Sequence, residues 1–161
     1  MGIRIRHADD RDGRCITGFI QATLRDMQSV GGYEVRQDEG FWLTYAENIV
    51  ESIRQGARLY LLAQTDHRIV AFLEGNIVKP YDVFTRQKIF HISIVYVIPE
   101  SRRRGIATAL VQEALEWAWD RGCREADLNV LFKNEKARRL YEKLGFNVFQ
   151  YQLRIKLPAK A

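Results

Sequence analysis

The chain has 161 residues, 47% hydrophobic and 28% charged, with a formal net charge of +5, a size and balance that fit one globular domain over 1–161 and exclude a disordered chain. No apolar run approaches the roughly 20 residues of a membrane span, and residues 1–14 are too charged for a secretory signal, so a soluble cytoplasmic protein with no membrane partner is expected. Residues 86–161 hold 15 Lys and Arg against 8 Asp and Glu, while residues 1–85 hold 10 against 12; charge clustered in this way suits a compact anion such as phosphate better than a nucleic acid, which asks for dispersed basic residues.

Ile3 and Ile5 alternate with arginines as a short strand does, and the loop 7–12 offers aspartates able to cap a helix that reaches about Gln28. Gly31 and Gly32 break the pattern. From Asp38 the apolar positions Trp42, Tyr45, Ala46, Ile49, Val50 and Ile53 recur at helical spacing and end near Gly56. The apolar runs 58–64 and 69–78, separated by a short polar turn, predict an antiparallel hairpin. Residues 89–98, rich in β-branched side chains and stopped by Pro99, predict a central strand.

Over 105–121 the residues Ile106, Leu110, Ala114, Trp117 and Ala118 share one helical face, with Gly122 just beyond. A strand over 126–132 follows. A short helix is capped by Asn134, carries Ala137, Leu140, Tyr141 and Leu144 on one face and closes at Gly145, and a last strand covers 148–157. This order predicts an α/β fold, a mixed and mostly antiparallel sheet covered by about four helices, with a right-handed crossover in its C-terminal half. Cys15 and Cys123 have no second Cys or His at ligand spacing, so both read as ordinary thiols and no metal is expected.

The segment Arg102-Arg103-Arg104-Gly105-Ile106-Ala107 lies between a strand and the start of an amphipathic helix. A helix start offers unpartnered backbone N–H groups and the positive end of a dipole, which attract phosphate. Small residues at 105 and 107 let an anion approach, and the arginines add charge. By itself the string is explained equally well as a basic helix entrance with a glycine for tight packing.

The longer stretch from Val95 through Tyr96, Val97 and Pro99 to Ala107 resembles the cofactor motif of the GNAT superfamily of acyl-CoA-dependent N-acyltransferases: a strand, a bend, Arg or Gln, two residues, Gly, one residue, then Gly or Ala. Leu128-Asn129-Val130, Asn134, Ala137, Tyr141 and Gly145-Phe146 fall at the spacings of that family's second half. The resemblance covers roughly 89–149; the preceding third is compatible by architecture only. It implies a sheet splayed between the strands containing Val97 and Val130, with the pantetheine of acetyl-CoA inserted there. Backbone groups of Val95 and Val97, flanking Tyr96, would pair with pantetheine. The N–H groups of Arg103, Arg104, Gly105, Ile106, Ala107 and Thr108 would bind pyrophosphate, with Arg102 alongside. Asn134, followed by Ala137 in the helix it caps, would bond the pantetheine arm, and Tyr141 would sit near the sulfur.

The implied reaction moves the acetyl group of acetyl-CoA to a primary amine of an unidentified acceptor, a small molecule or a protein terminus, by direct attack on the thioester. A noncatalytic acyl-CoA-binding module with the same fold is the competing reading. Catalysis needs an acid for the departing thiolate and a base for the amine. Tyr141 is the candidate acid. Some relatives carry a Glu in the strand before the Asn134 position, but Asn129 stands here and an amide accepts no proton. The candidate bases are His91, read as sharing pleat parity with Val95 and Val97, and Glu74 on the neighbouring strand, acting through a water; a satisfied structural polar residue accounts for either equally well. Tyr33, Trp42 and Tyr45 are candidates for the acceptor side, while Trp117 and Trp119 read as packing residues. Lys133, Lys136, Arg138 and Arg139 read as a solvated helix face. Homodimerisation is common among such relatives and compatible with this sequence.

Overall fold

The structure is a computed structural model and describes residues 2–66, 68–83, 85 and 88–157. Five strands, β1 (Arg4–His7), β2 (Leu59–Thr65), β3 (Arg68–Val78), β4 (Ile89–Val97) and β5 (Glu125–Leu128), form one sheet in the order β1-β2-β3-β4-β5. The first three pairings are antiparallel and the last is parallel. A parallel pair requires a crossover, which α3 (Ile106–Asp120) supplies. Helices α1 (Gly13–Ser29), α2 (Glu39–Gln55) and α4 (Glu135–Lys143) complete the expected mixed fold. His67, expected in the β2–β3 turn, lies outside the described residues.

The helix boundaries follow local chemistry. Asp38 caps α2 by accepting from the Phe41 N–H, and Gly56 closes it at φ 61°, a left-handed conformation open to glycine. Asp9 caps a single 3-10 turn, Asp10–Asp12, ahead of α1 rather than α1 itself. The buried Asp12 carboxylate then accepts two hydrogen bonds from Arg6 at 2.7 and 2.8 Å, tying α1 to β1.

The sheet separates two apolar layers. On one face Ile16, Phe19 and Ile20 of α1 and Ile49 of α2 pack on Tyr60, Leu62 and Phe72. On the other, Ile106, Leu110, Val111, Ala114 and Ala118 of α3 pack on Leu61, Leu73, Phe90 and Ile92, and α4 adds Tyr141 and Leu144. Burying each of the Ile, Leu, Val and Phe side chains among these contributes about 1.5–3 kcal/mol. Gly75 is required by this packing, since a Cβ there would lie 2.5 Å from the Phe90 ring.

Two expected strands differ. The strand predicted over 126–132 ends at Leu128, because β5 has no partner beyond the point where it leaves β4. The last strand, predicted over 148–157, does not form, and Val148, Phe149, Tyr151, Leu153, Ile155 and Leu157 are all exposed. Its alternation is strand-like, but the segment joins no strand of the sheet among the described residues.

Candidate active site

After β4 the chain makes a 3-10 turn, Pro99–Ser101, then bends twice through left-handed backbone, with Arg103 at φ 64° and Gly105 at φ 77°. A left-handed conformation costs a residue other than glycine about 1–2 kcal/mol, and such strain persists where neighbouring structure imposes it. Gly105 is the N-cap of α3, and its carbonyl accepts the first intrahelical bond from the Ala109 N–H at 3.0 Å. Among the described residues, the N–H groups of Gly105, Ile106, Ala107 and Thr108 donate to no protein acceptor. A Cβ added at Gly105 would meet nothing within 4 Å, so no neighbouring side chain fills the space at that end. Free N–H groups at the positive end of a 15-residue helix are a cradle that fits a phosphate.

The three arginines are not equivalent. Arg102 donates to the Val97 carbonyl at 2.8 Å and to Asp26 of α1 at 2.7 Å, with its guanidinium 5.5 Å from the centroid of the Tyr96 ring. It fastens the end of β4 to α1. Arg103 and Arg104 are exposed and form no ion pair among the described residues, so their charge faces the solvent beside the cradle.

The sheet opens where the resemblance implied. β4 pairs with β5 only from Ile89↔Glu125 to Ile92↔Leu128. From Ser93 onward β4 keeps β3 on one side and has no strand on the other among the described residues. Ser93 is also a bulge: Ile94 stands opposite Glu74 while Ile92 stands opposite Gly75. One extra residue reverses the alternation of side chains. Phe90 and Ile92 therefore share the α3 face with Val95 and Val97, whereas His91 turns to the α1/α2 side with Ile94 and Tyr96. The expected common parity of His91 with Val95 and Val97 is thus incorrect, because it assumed an unbroken pleat.

A polar row that the sequence alone does not disclose lies just before the bulge. Asn76, His91 and Asp127 stand opposite one another across β3, β4 and β5, and Glu74 precedes them on β3 with the same orientation as Asn76. His91 Nδ1 lies 2.6 Å from Asp127 Oδ1, which leaves Nε2 as the nitrogen free to take a proton. Glu74 is 5% exposed and its carboxylate accepts from Arg58. Burial pushes the Tyr45 phenol up, and the Glu74 charge adds to the effect. Asp127 and Asp26 were not anticipated, since each gains meaning only from a partner distant in sequence.

Tyr141 belongs to the opposite face, packed against the α3 layer with its ring centroid 5.8 Å from that of Phe146. Burial pushes its phenol up to about 12. Its hydroxyl has no hydrogen-bond partner among the described residues. Asn134 caps α4 by accepting from the Ala137 N–H at 3.3 Å, which leaves its amide NH₂ uncommitted. Tyr141 and His91 thus stand on opposite faces of the sheet, and β4 loses its β5 neighbour from Ser93 onward.

The remaining residues are engaged elsewhere. Trp42 donates to the Arg36 carbonyl and packs with Tyr45, while Tyr33 is exposed. Trp117 packs on Phe90, and Trp119 carries Arg124 over its ring. Arg138 and Arg139 pair along α4 with Glu142 and Glu135.

Comparison with known proteins places this arrangement. The family model described as acetyltransferase (GNAT) family matches residues 12–146. An uncharacterized N-acetyltransferase of Archaeoglobus fulgidus is 35% identical over 139 residues, 86% of this chain and 89% of that one. Aminoglycoside N(6')-acetyltransferase type 1 of Acinetobacter baumannii is 33% identical over 105 residues, 64% of this chain and 72% of that one. Among solved structures, AAC(6')-Iy in complex with a bisubstrate analog, CoA-S-monomethyl-acetylneamine, has a TM-score of 0.76 at 17% identity, covering 99% of this chain and 100% of that one.

Proposed function

The chain belongs to the acetyltransferase (GNAT) family and is an N-acetyltransferase, and we propose that it transfers the acetyl group of acetyl-CoA to a primary amine on the α1/α2 face of the sheet. The observation that carries this reading is the pairing of a backbone anion cradle at Gly105–Thr108 with an opened sheet edge beginning at Ser93. We read 1–161 as one catalytic domain acting in the cytoplasm.

Acetyl-CoA supplies an activated thioester when bound. The N–H groups of Arg103 through Thr108 hold its pyrophosphate, and Arg104 adds long-range attraction. Arg102 acts by fixing the cradle to β4 and α1 through Val97 and Asp26. The edge of Val95, Tyr96 and Val97, which β5 leaves unpaired, takes the pantetheine, and the Asn134 amide with Ala137 beside it closes over the arm. Tyr141 protonates the departing sulfur from the α3 side; its burial keeps the phenol neutral over the physiological range. His91 receives the amine proton at Nε2, oriented by Asp127. Glu74, already engaged by Arg58, supplies negative charge on the acceptor side rather than a second base.

Glu74 and Asp127 on the acceptor face favour a cationic amine. The aminoglycoside acetyltransferases among the relatives make an aminosugar the first acceptor to try. The test is free-thiol release from acetyl-CoA in the presence of aminoglycosides, polyamines, amino acids and peptide N-termini. Saturable release with at least one cationic small amine is expected. Tight acetyl-CoA binding without release across the panel would leave only a noncatalytic module, and absence of binding would overturn the reading altogether.

A further inference from the structure

The α1–α2 connection runs into an aromatic cluster that takes no part in the proton transfers. Phe41, Trp42 and Tyr45, in the first two turns of α2, touch one another with ring centroids 5.1, 5.9 and 5.4 Å apart. Trp42 and Tyr45 pack into the same layer as Ile94 and Tyr96 of the open edge. Burial raises the Tyr45 phenol and the charge of Glu74 raises it further, so the cluster stands beside the acceptor face. Its outer ring, Phe41, is half-buried and already carries a cation, since the Arg36 guanidinium lies 4.7 Å from its centroid. Arg36 is exposed, whereas its backbone is held by the Trp42 indole N–H, which donates to the Arg36 carbonyl at 2.8 Å. The guanidinium can therefore leave the ring without releasing the connection. Around it, Glu34, Asp38 and Glu39 are exposed and form no ion pair among the described residues, so residues 34–39 hold three carboxylates against one cation.

We propose that Phe41 is a specificity-determining residue for the acceptor, its ring face taking a second, non-reacting ammonium group of a dicationic amine in place of Arg36. The inference rests on the acceptor lying on the α1/α2 face, as proposed above, and narrows it from any cationic amine to one whose charges are well separated. A cation over an aromatic face is attracted by the ring quadrupole, and the carboxylates at 34, 38 and 39 add to the local field. The reacting amine is at His91, and Tyr45 and Glu74 stand between the Phe41 ring and the row of Asn76 and His91. Only a charge at the far end of an elongated acceptor spans that separation. Direct contact with Glu74 is closed to it, because that carboxylate is 5% exposed and paired with Arg58. Arg36 covers the ring while no acceptor is bound and competes with one that arrives.

Octamethylenediamine, octylamine and ethylenediamine respectively separate two charges, remove the second, and hold the second too close. With saturating acetyl-CoA, thiol release should give a KM for octamethylenediamine about 3- to 30-fold below that for octylamine, and ethylenediamine should gain nothing over ethylamine. Phe41→Leu, which keeps an apolar side chain against Trp42 and Tyr45, should bring the first two KM values together. Phe41→Trp should keep them apart, and Arg36→Gln should widen the difference. Equal KM values in the wild-type protein, or a difference that survives in folded Phe41→Leu, overturn the proposal; loosened packing alone would shift both amines alike and leave their ratio intact. If none of these amines releases thiol, it is the acetyl-transfer reading that fails, and calorimetry of octamethylenediamine against octylamine on the CoA-loaded protein decides the ring site by the same ratio.

Discussion

The cofactor side and the acceptor side of this molecule are built differently. In the proposed mechanism the stretch 103–108 acts through backbone: two left-handed residues lead into four N–H groups that have no protein acceptor among the described residues, and side chains matter there mainly by being small. On the α1/α2 face the proposed mechanism acts through side chains from three strands, Glu74 and Asn76, His91, and Asp127, which meet through the register of β3, β4 and β5. A backbone site tolerates change at many neighbours and fails at one position. A side-chain site degrades piece by piece.

The sharpest way to break that contrast is Gly105→Glu. The new side chain enters open space, and the fold loses only about 1–2 kcal/mol to the left-handed backbone. A carboxylate before the cradle displaces at least two charge-assisted bonds of about 1.5 kcal/mol each, so affinity for acetyl-CoA should fall about 100-fold or more by calorimetry. A folded variant with parental affinity would show that the cradle is not the binding site.

Next in size is Tyr141→Phe, which should lower kcat by about 10- to 1000-fold with acetyl-CoA affinity unchanged. The variant also has a readout in stability. Burial raises the folded phenol from 10 to about 12, so above pH 10 the unfolded chain loses this proton before the folded one does. Wild-type stability should therefore decline between pH 10 and about 12, and Tyr141→Phe should decline less over the same window. Equal alkaline slopes, or full activity, would remove the phenol from the account.

On the acceptor side, His91→Ala should remove the acidic limb of the pH–rate profile, and Asp127→Asn should lower kcat by less, because it disturbs only the orientation of the ring. If the limb survives in His91→Ala, the amine reaches the thioester already neutral or uses another base. The smallest effects belong to the arginines. Arg104→Ala should flatten the salt dependence of acetyl-CoA binding with the melting temperature unchanged. Arg102→Ala should lower the melting temperature slightly, since an exposed ion pair such as Arg102 with Asp26 contributes about 0–1 kcal/mol. An identical response of the two variants would erase the distinction drawn between them.

The same contrast governs what could be read in advance. A backbone site leaves a signature in consecutive letters, because strand, bend, glycine and helix start must follow in order, and that is why the turn after Val97 and the cap at Asn134 were legible. The helices and the hairpin were legible for a similar reason, since Asp38, Gly56 and Gly122 mark boundaries by their own chemistry. The pairing of His91 with Asp127 depends on register between strands joined by a whole helix, and the orientation of His91 depends on a bulge that no letter at Ser93 announces. Assuming a regular pleat was enough to turn the histidine the wrong way. Alternation over 148–157 predicted a strand that does not form, because alternation says nothing about whether a partner edge is at hand.

The central claim, that the backbone from Gly105 to Thr108 is the anion-binding element, is tested most directly by amide NMR during titration with CoA. The N–H resonances of Gly105, Ile106, Ala107 and Thr108 should show the largest saturable shifts and become protected from exchange, with no such change in Gly105→Glu. Saturable binding that leaves these four amides unmoved would contradict the account.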